Sequence, residues 1–450
     1  MMKEQLIDLT VRHYIKKLRK DPEKQIPKVL KQIDMFAGGR MAPQMNRVHM
    51  MLDNPDSNIF KMVVRGLNEV DPVFFTGLGN SFVINTGFDG WAKQTELREK
   101  YQCNIPWAIL LDPTSACNLH CTGCWAADYG NRLNLSYEDI DSIIKQGTEL
   151  GIYFYIYTGG EPLIRKKDII KLCEAHPECV FLCFTNGTLI DQEFCDDLKR
   201  VANFVPGISL EGNREATDSR RGEGTYDKVI GAMKLMHENM IPFGVSCCYT
   251  SENYESVTSD EYVDMLVELG AFFLWFFHYM PVGSDANVEL MVTPEQREGM
   301  YHTVRRWREE KPIFPLDFQN DGQYVQGCIA GGRRYLHINA AGDVDPCVFI
   351  HFSDSNIHEK TLLECLQGPL FKAYYDNQPF NDNHLRPCPM LENPDALRRM
   401  IKETGAKSSN LEGEETAEML CDRCEKYAKE WAPTAEKLWE INHNCIPFKH

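Results

Sequence analysis

Between about residue 105 and residue 283 the chain alternates short apolar runs with stretches of helical periodicity, and this alternation limits the fold more than any other feature. The strand candidates are Trp107–Leu111, Ile152–Thr158, Val180–Thr185, Val205–Leu210, Phe243–Thr250 and Phe272–Met280. They are largely apolar without strict alternation, which suits parallel strands buried on both faces. Helical patterns lie between them. One opens at Ser136, a predicted N-cap with Asp139 in the first turn, and ends before Gly151. Others cover about 165–176, 191–202, 225–239 and 258–269. Alternating strands and helices build a parallel sheet, and six such units predict an α/β fold, a partial (β/α)6, TIM-like barrel. Functional groups in such folds collect where strands end at their C-termini.

Directly after the first strand comes Cys117-Asn118-Leu119-His120-Cys121-Thr122-Gly123-Cys124-Trp125, a C-x3-C-x2-C triplet. Three thiolates this close can hold three irons of a [4Fe–4S] cubane and leave the fourth iron open to a small molecule. The same residues also suit structural zinc with a fourth ligand from elsewhere, or a C-x2-C redox pair. After the second strand stands Thr158-Gly159-Gly160-Glu161-Pro162, and after the third Thr185-Asn186-Gly187-Thr188. The fourth strand ends in Ser209-Leu210-Glu211, with Arg220-Arg221 downstream. Ser209 and Glu211 are two apart and share a face if the strand continues through both.

In this order the motifs resemble those of the radical S-adenosylmethionine (SAM) enzymes. The resemblance covers about residues 105–283. It implies that SAM chelates the open iron through its amino and carboxylate groups. An electron from the cluster then cleaves SAM to a 5′-deoxyadenosyl radical, which abstracts hydrogen from a substrate. It further implies that Gly159, Gly160 and Glu161 receive the SAM amine, that Ser209 hydrogen-bonds SAM and Glu211 its ribose, and that Arg221 pairs with its carboxylate. Many relatives carry an aromatic residue just before the third cysteine. This chain has Gly123 there, and Trp125 is expected to take over the packing near adenine. His278, at the end of the sixth strand, reads either as a substrate-facing acid or base or as a packed histidine, and Cys247 and Cys248 as core thiols on opposite strand faces.

The C-terminal region carries a second set of cysteines. Cys328 and Cys347 are separated by C-x13-G-x4-C spacing, followed by Cys365, Cys388, the pair Cys421 and Cys424, and Cys445. The first spacing resembles the opening of the SPASM and Twitch extensions of radical SAM enzymes. It implies an auxiliary [4Fe–4S] cluster on Cys328, Cys347, Cys421 and Cys424, with Cys388 as competitor. Zinc on four of these thiolates is the alternative. The expected divisions are a helical N-terminal region (1–100), a radical SAM core (103–320) and an auxiliary-cluster region (321–450). Segment 403–416 is polar and acidic and reads as an exposed loop.

Composition narrows the partners. The formal charge is 48 minus 65, or −17, which argues against nucleic acid. Seventeen cysteines and no visible export signal point to a reducing cytoplasm. Residues 1–31 are locally basic, with nine Lys/Arg against four Asp/Glu, and several methionines follow (Met35, Met41, Met45, Met50, Met51). That stretch reads as a helical cap with a solvated basic face, or as a peripheral contact with the inner membrane face. The expected activity is hydrogen abstraction from a peptide or protein or from a lipid chain, C–C bond formation on a lipid or isoprenoid chain being one form. A low-potential reductant such as flavodoxin or ferredoxin would supply the electron. The rival from another class is a non-catalytic iron–sulfur electron carrier, which would leave Gly159–Pro162 and Ser209 without a task.

Overall fold

The computed structural model describes residues 13–37, 42–126, 133–283, 285–410 and 413–442. Its centre is a nine-stranded sheet in the order β7-β6-β5-β4-β3-β2-β1-β8-β9. The strands are β1 (Ala108–Leu111), β2 (Phe154–Tyr157), β3 (Val180–Thr185), β4 (Phe204–Ser209), β5 (Gly244–Tyr249), β6 (Phe273–His278), β7 (Phe314–Asp317), β8 (Tyr335–Ile338) and β9 (Val344–Asp345). The first seven run parallel in chain order. All six predicted strands are present: Val180–Thr185 as predicted, Val205–Leu210 shifted one residue toward the N-terminus, and the other four shortened at one or both ends. The proline-containing stretch before residue 320 contributes β7 as a seventh.

Each strand separates two populations of side chains. Ile109, Leu111, Tyr155, Tyr157, Phe181, Ile208, Val245 and Phe276 pack outward against the helices. Ala108, Leu110, Phe154, Ile156, Val180 and Leu182 face the other way, into the concave side of the sheet. Both faces are therefore apolar, which is why the strands read as continuous hydrophobic runs. The outer helices start as expected. Ser136 and Asp139 form a reciprocal capping box on Tyr137–Glu149, satisfying two amide donors that the helix start would otherwise leave bare.

The C-terminal region does not form a separate body. β8 pairs with β1 in parallel, Ala108 opposite Tyr335 and Leu111 opposite Ile338, and β9 returns antiparallel to it. The hairpin carrying Cys347 thus extends the core sheet past β1. Segment 403–416, expected as an exposed loop, contains Lys407–Ser408, which pairs with Phe352–Ser353, and its Ser409 and Glu415 are buried. Ser409 donates to Asp345 Oδ1 at 2.7 Å, so the segment is fastened to the sheet despite its polar composition.

Among the described residues, the stretch before residue 101 is largely helical and divides in two. Ile26, Leu30, Phe60 and Leu67 make a small cluster among the first helices. Val70, Phe74 and Leu97 belong to the main core instead. Some of the basic residues are used internally: Arg19 donates to the Val70 carbonyl, Lys17 to Gln32 and Lys24 to Asp21. Met35, Met50 and Met51 are exposed. Met41 falls outside the described residues. Among the described residues no helix is long and apolar enough to cross a membrane.

Candidate active site

The three cysteines of the triplet line one cavity of about 220 Å³ on the concave side of the sheet, together with Thr158, Gly159, Gly160, Glu161, Ser209, Arg220 and Arg221. The loop that carries them is held by its neighbours. Thr122 N–H donates to the Arg220 carbonyl at 2.8 Å. Asn118 donates to Thr188 and accepts from the Asn186 side-chain amide, both at 2.8 Å, which gives the Thr185–Thr188 turn its task. Leu119 N–H points at Cys117 Sγ at 3.4 Å, and Arg221 Nη1 lies 3.9 Å from Cys121 Sγ. Burial pushes the Cys117 thiol up to about 11 and raises that of Cys124 as well. An iron ligand must be deprotonated, so metal binding here releases protons.

The loop after β2 packs tightly against the segment that leads to the triplet. A Cβ at Gly160 would stand 2.2 Å from the Ala116 carbonyl oxygen, and one at Gly159 (φ +96°) 2.8 Å from the Asp112 side chain. Only glycine allows this approach. Glu161 is buried, and its carboxylate accepts three hydrogen bonds, from Leu163 N–H (2.9 Å), Thr185 Oγ1 (2.7 Å) and Asn186 N–H (2.8 Å). It braces the ends of β2 and β3. Glu161 thus lines the cavity while three donors already rest on its carboxylate.

Glu211 also departs from the sequence reading. β4 ends at Ser209, so the shared strand face does not extend to Glu211, which is absent from the cavity wall. Glu211 is fully buried and grips Arg220 (2.9 Å) and Arg221 (Nη2, 2.7 Å, with a second contact from Nε). Burial raises its pKa, but the two guanidiniums outweigh this and hold it below the usual range. Arg221 is thus committed to Glu211 and to the Cys121 thiol.

Gly123 (φ +64°) has no room for a side chain: a Cβ would meet the Tyr279 ring at 2.6 Å. Tyr279, from the loop after β6, fills in space the place that an aromatic before the third cysteine would take. Trp125 lines the cavity as well and stands edge-on to His337 (5.9 Å) and Phe349 (6.3 Å) of the C-terminal region. His278 is buried and neutral. Burial first, then Arg297, depresses it to about 3, and its nitrogens meet the Tyr279 carbonyl (2.6 Å) and the Tyr427 hydroxyl (3.0 Å). Cys248 lines the cavity, whereas Cys247 faces the core.

A second, smaller cavity is lined by Cys328, Cys347 and Cys388. Their sulfurs are met by donors: Tyr335 Oη at 2.8 Å and Phe349 N–H at 3.5 Å from Cys347, and Met390 and Leu391 N–H at 3.4 Å from Cys388. Cys421 and Cys424 do not line it. They lie buried on helix Ala417–Asn442, where the Cys421 thiol donates to the Pro394 carbonyl at 3.4 Å. The competitor Cys388 thus stands where the pair was expected, because the proline-flanked turn around it folds over the hairpin. Cys365 is buried in the main core, and Cys445 falls outside the described residues. Among the described residues no three or more His, Cys, Asp or Glu side chains converge as they would on a single metal ion. A cubane poses a different demand, since each thiolate binds its own iron around a shared space.

A family model described as the radical SAM superfamily matches residues 111–264. Residues 111–264 are a radical SAM domain. The chain is 24% identical over 292 residues to an AdoMet-dependent heme synthase of Methanosarcina barkeri, covering 58% of this chain and 82% of that one. It is 28% identical over 273 residues to a mycofactocin maturase of Mycolicibacterium smegmatis, covering 58% and 67%. Its fold is similar to that of SuiB from Streptococcus suis, with a TM-score of 0.52 at 19% identity over 64% of this chain and 72% of that one.

Sequence reasoning missed most of the cavity wall. Its far half is aromatic: Trp107, Phe154, Phe184, Trp275, Phe277, Phe318 and Phe349. The available signal was the pairing of large rings with glycines on neighbouring strands. A Cβ at Gly207 would stand 3.1 Å from the Phe184 ring.

Proposed function

We propose that Cys117, Cys121 and Cys124 hold a [4Fe–4S] cluster that binds SAM, and that the enzyme abstracts a hydrogen atom from a substrate seated against the aromatic wall. The observation that carries this is the shared cavity: the three thiols, the Gly159–Gly160 edge and Ser209 open into the same space as the rings. With SAM on its open iron, the cluster supplies the 5′-deoxyadenosyl radical. The chain's own residues supply the setting. Leu119 N–H and Arg221 bring positive charge to the sulfurs, which favours the anionic, reduced state. Glu161 and Glu211 hold the loops and arginines in place from behind. The apolar wall keeps water away from a radical, so that a substrate C–H bond is the nearest reactive partner.

Such a wall favours an apolar group, as in a lipid chain, over a polar one. Peptide modification is the second reading. It is favoured by the fold similarity to SuiB, one structure of which is bound to its precursor peptide SuiA. Cys328, Cys347 and Cys388 are the proposed thiolates of an auxiliary cluster, and a flavodoxin- or ferredoxin-type protein the proposed reductant.

Anaerobic reconstitution followed by SAM and dithionite is expected to yield 5′-deoxyadenosine. Its absence from protein with verified clusters would sink the proposal in favour of an electron carrier. Cys121→Ser should lose one cluster's iron and all 5′-deoxyadenosine. Cys388→Ser should lose iron while SAM cleavage persists, and Cys421→Ser should lose none.

A further inference from the structure

The cavity does not end at the aromatic wall. It runs from the cysteine loop, beyond the C-terminal end of β1, to Trp107 and Arg334, which precede β1 and β8 at the opposite edge of the sheet. Trp107 and Asp112 lie five residue steps apart along the extended chain, a span of roughly 17 Å. Trp107 packs edge-on against Phe154 (5.0 Å) and Phe82 (6.0 Å), and Phe82 is 41% exposed.

Arg334 closes this far end. Among the described residues no carboxylate pairs with it, nor with its neighbours Arg98 and Arg333. Arg98 donates to the Ile105 carbonyl (3.0 and 2.6 Å), and Arg333 to the carbonyls of Val325, Gln326 and Cys328 (2.7–2.9 Å). Among the described residues the Arg334 side chain donates only to the Arg333 carbonyl, at 3.4 Å, and its guanidinium lies 4.7 Å over the Trp91 ring. Burial, then Arg98 and Arg333, lowers its pKa to about 10. Three crowded cations in a chain of net charge −17 make a local anion site. A guanidinium with unspent donors at the end of an apolar cavity suits a carboxylate or phosphate.

We propose that this cavity binds an amphiphile, its anionic end on Arg334 and its apolar body along the aromatic wall toward the cysteine loop. The inference rests on the radical SAM reading for the reacting end alone, since Arg334 and Trp107 belong neither to the triplet nor to the loop after β2. It makes Arg334 the group that sets how far along the chain the reacting carbon lies.

The test is a binding measurement on the reconstituted holoenzyme with SAM. The probe is 12-bromododecanoate, whose bromine quenches tryptophan fluorescence, and the neutral control is 12-bromododecanol. The carboxylate should quench saturably and bind at least tenfold more tightly than the alcohol. Dodecanoate and dodecyl phosphate should compete, the stronger competitor identifying the head group. Arg334→Ala and Arg334→Gln should each weaken the carboxylate about tenfold or more and leave the alcohol unchanged, while Arg334→Lys should restore part of the difference. Trp275→Phe should lower the quenching amplitude more than Trp107→Phe, because Trp107 lies beside Arg334 and the bromine sits at the other end of the probe. Equal binding of alcohol and carboxylate, indifference to Arg334, or a larger amplitude loss at Trp107 than at Trp275 would each overturn the proposal. 5′-Deoxyadenosine formation from SAM alone reads the underlying activity, so a failure of either reading is visible by itself.

Discussion

Glu211 holds Arg220 and Arg221 from a fully buried position, and the position of Arg221 beside Cys121 depends on it. Replacing it with glutamine strands two buried guanidiniums, so Glu211→Gln should cost about 3–5 kcal/mol, read from denaturant unfolding. A variant of unchanged stability would show that the pair is solvated. Gly123 offers a sharper case. Its positive φ costs an alanine about 1–2 kcal/mol, and the Tyr279 ring adds a clash at 2.6 Å. Gly123→Ala should lower iron in the core cluster, and Tyr279→Leu in the same chain should recover only part of it. Full recovery would show that the backbone at 123 is not strained. At this scale the cysteine triplet was legible because its spacing is local. The tasks of Glu161 and Glu211 were not, because a carboxylate's partners come from other loops and no pattern in the chain reveals whether it faces a ligand or a brace.

The element that joins core to tail is the β1–β8–β9 seam, and a buried triad lies along it. His337 on β8 stands between Asp112, which follows β1, and Asp345 on β9, at 3.0 and 3.2 Å, with all three side chains fully buried. Burial pushes His337 down, but Asp112 and then Asp345 lift it further, to about 10, against an ordinary value of 6.5. A group raised in the folded state stabilises fully below its unfolded pKa and loses that contribution as pH rises through the folded one. The unfolding free energy should therefore fall between about pH 7 and 10, and His337→Gln should flatten this fall. Parallel slopes for the two proteins over that range would rule out the assignment. Strands β1 to β6 were legible as apolar runs with turn signals on either side. β7 was masked by its prolines, and β8 by a turn-rich, cysteine-marked context that reads as a separate unit. Its parallel pairing to β1 joins residues more than 200 positions apart, which no local periodicity can encode.

For the whole molecule, the N-terminal region is two things. The helices before residue 70 share a small cluster (Ile26, Leu30, Phe60, Leu67), whereas Phe74 and Leu97 are part of the barrel's core. Deleting residues 1–52 should leave the thermal transition of the core in place, and deleting 1–100 should abolish soluble, cooperatively folding protein. Equal melting of both truncations would contradict this division. The chain alone determined the class of fold, the position of the cluster loop after the first strand, and the order of the loops around it, because hydrophobic periodicity and ligand spacing are short-range properties. Only the tertiary structure decided which thiols share a cavity, which carboxylates already carry donors, and that aromatic rings from β2, β3, β6 and the C-terminal region form a single wall ending on Arg334. Those outcomes depend on which side chains converge from distant strands, and convergence is set by packing, not by position along the chain.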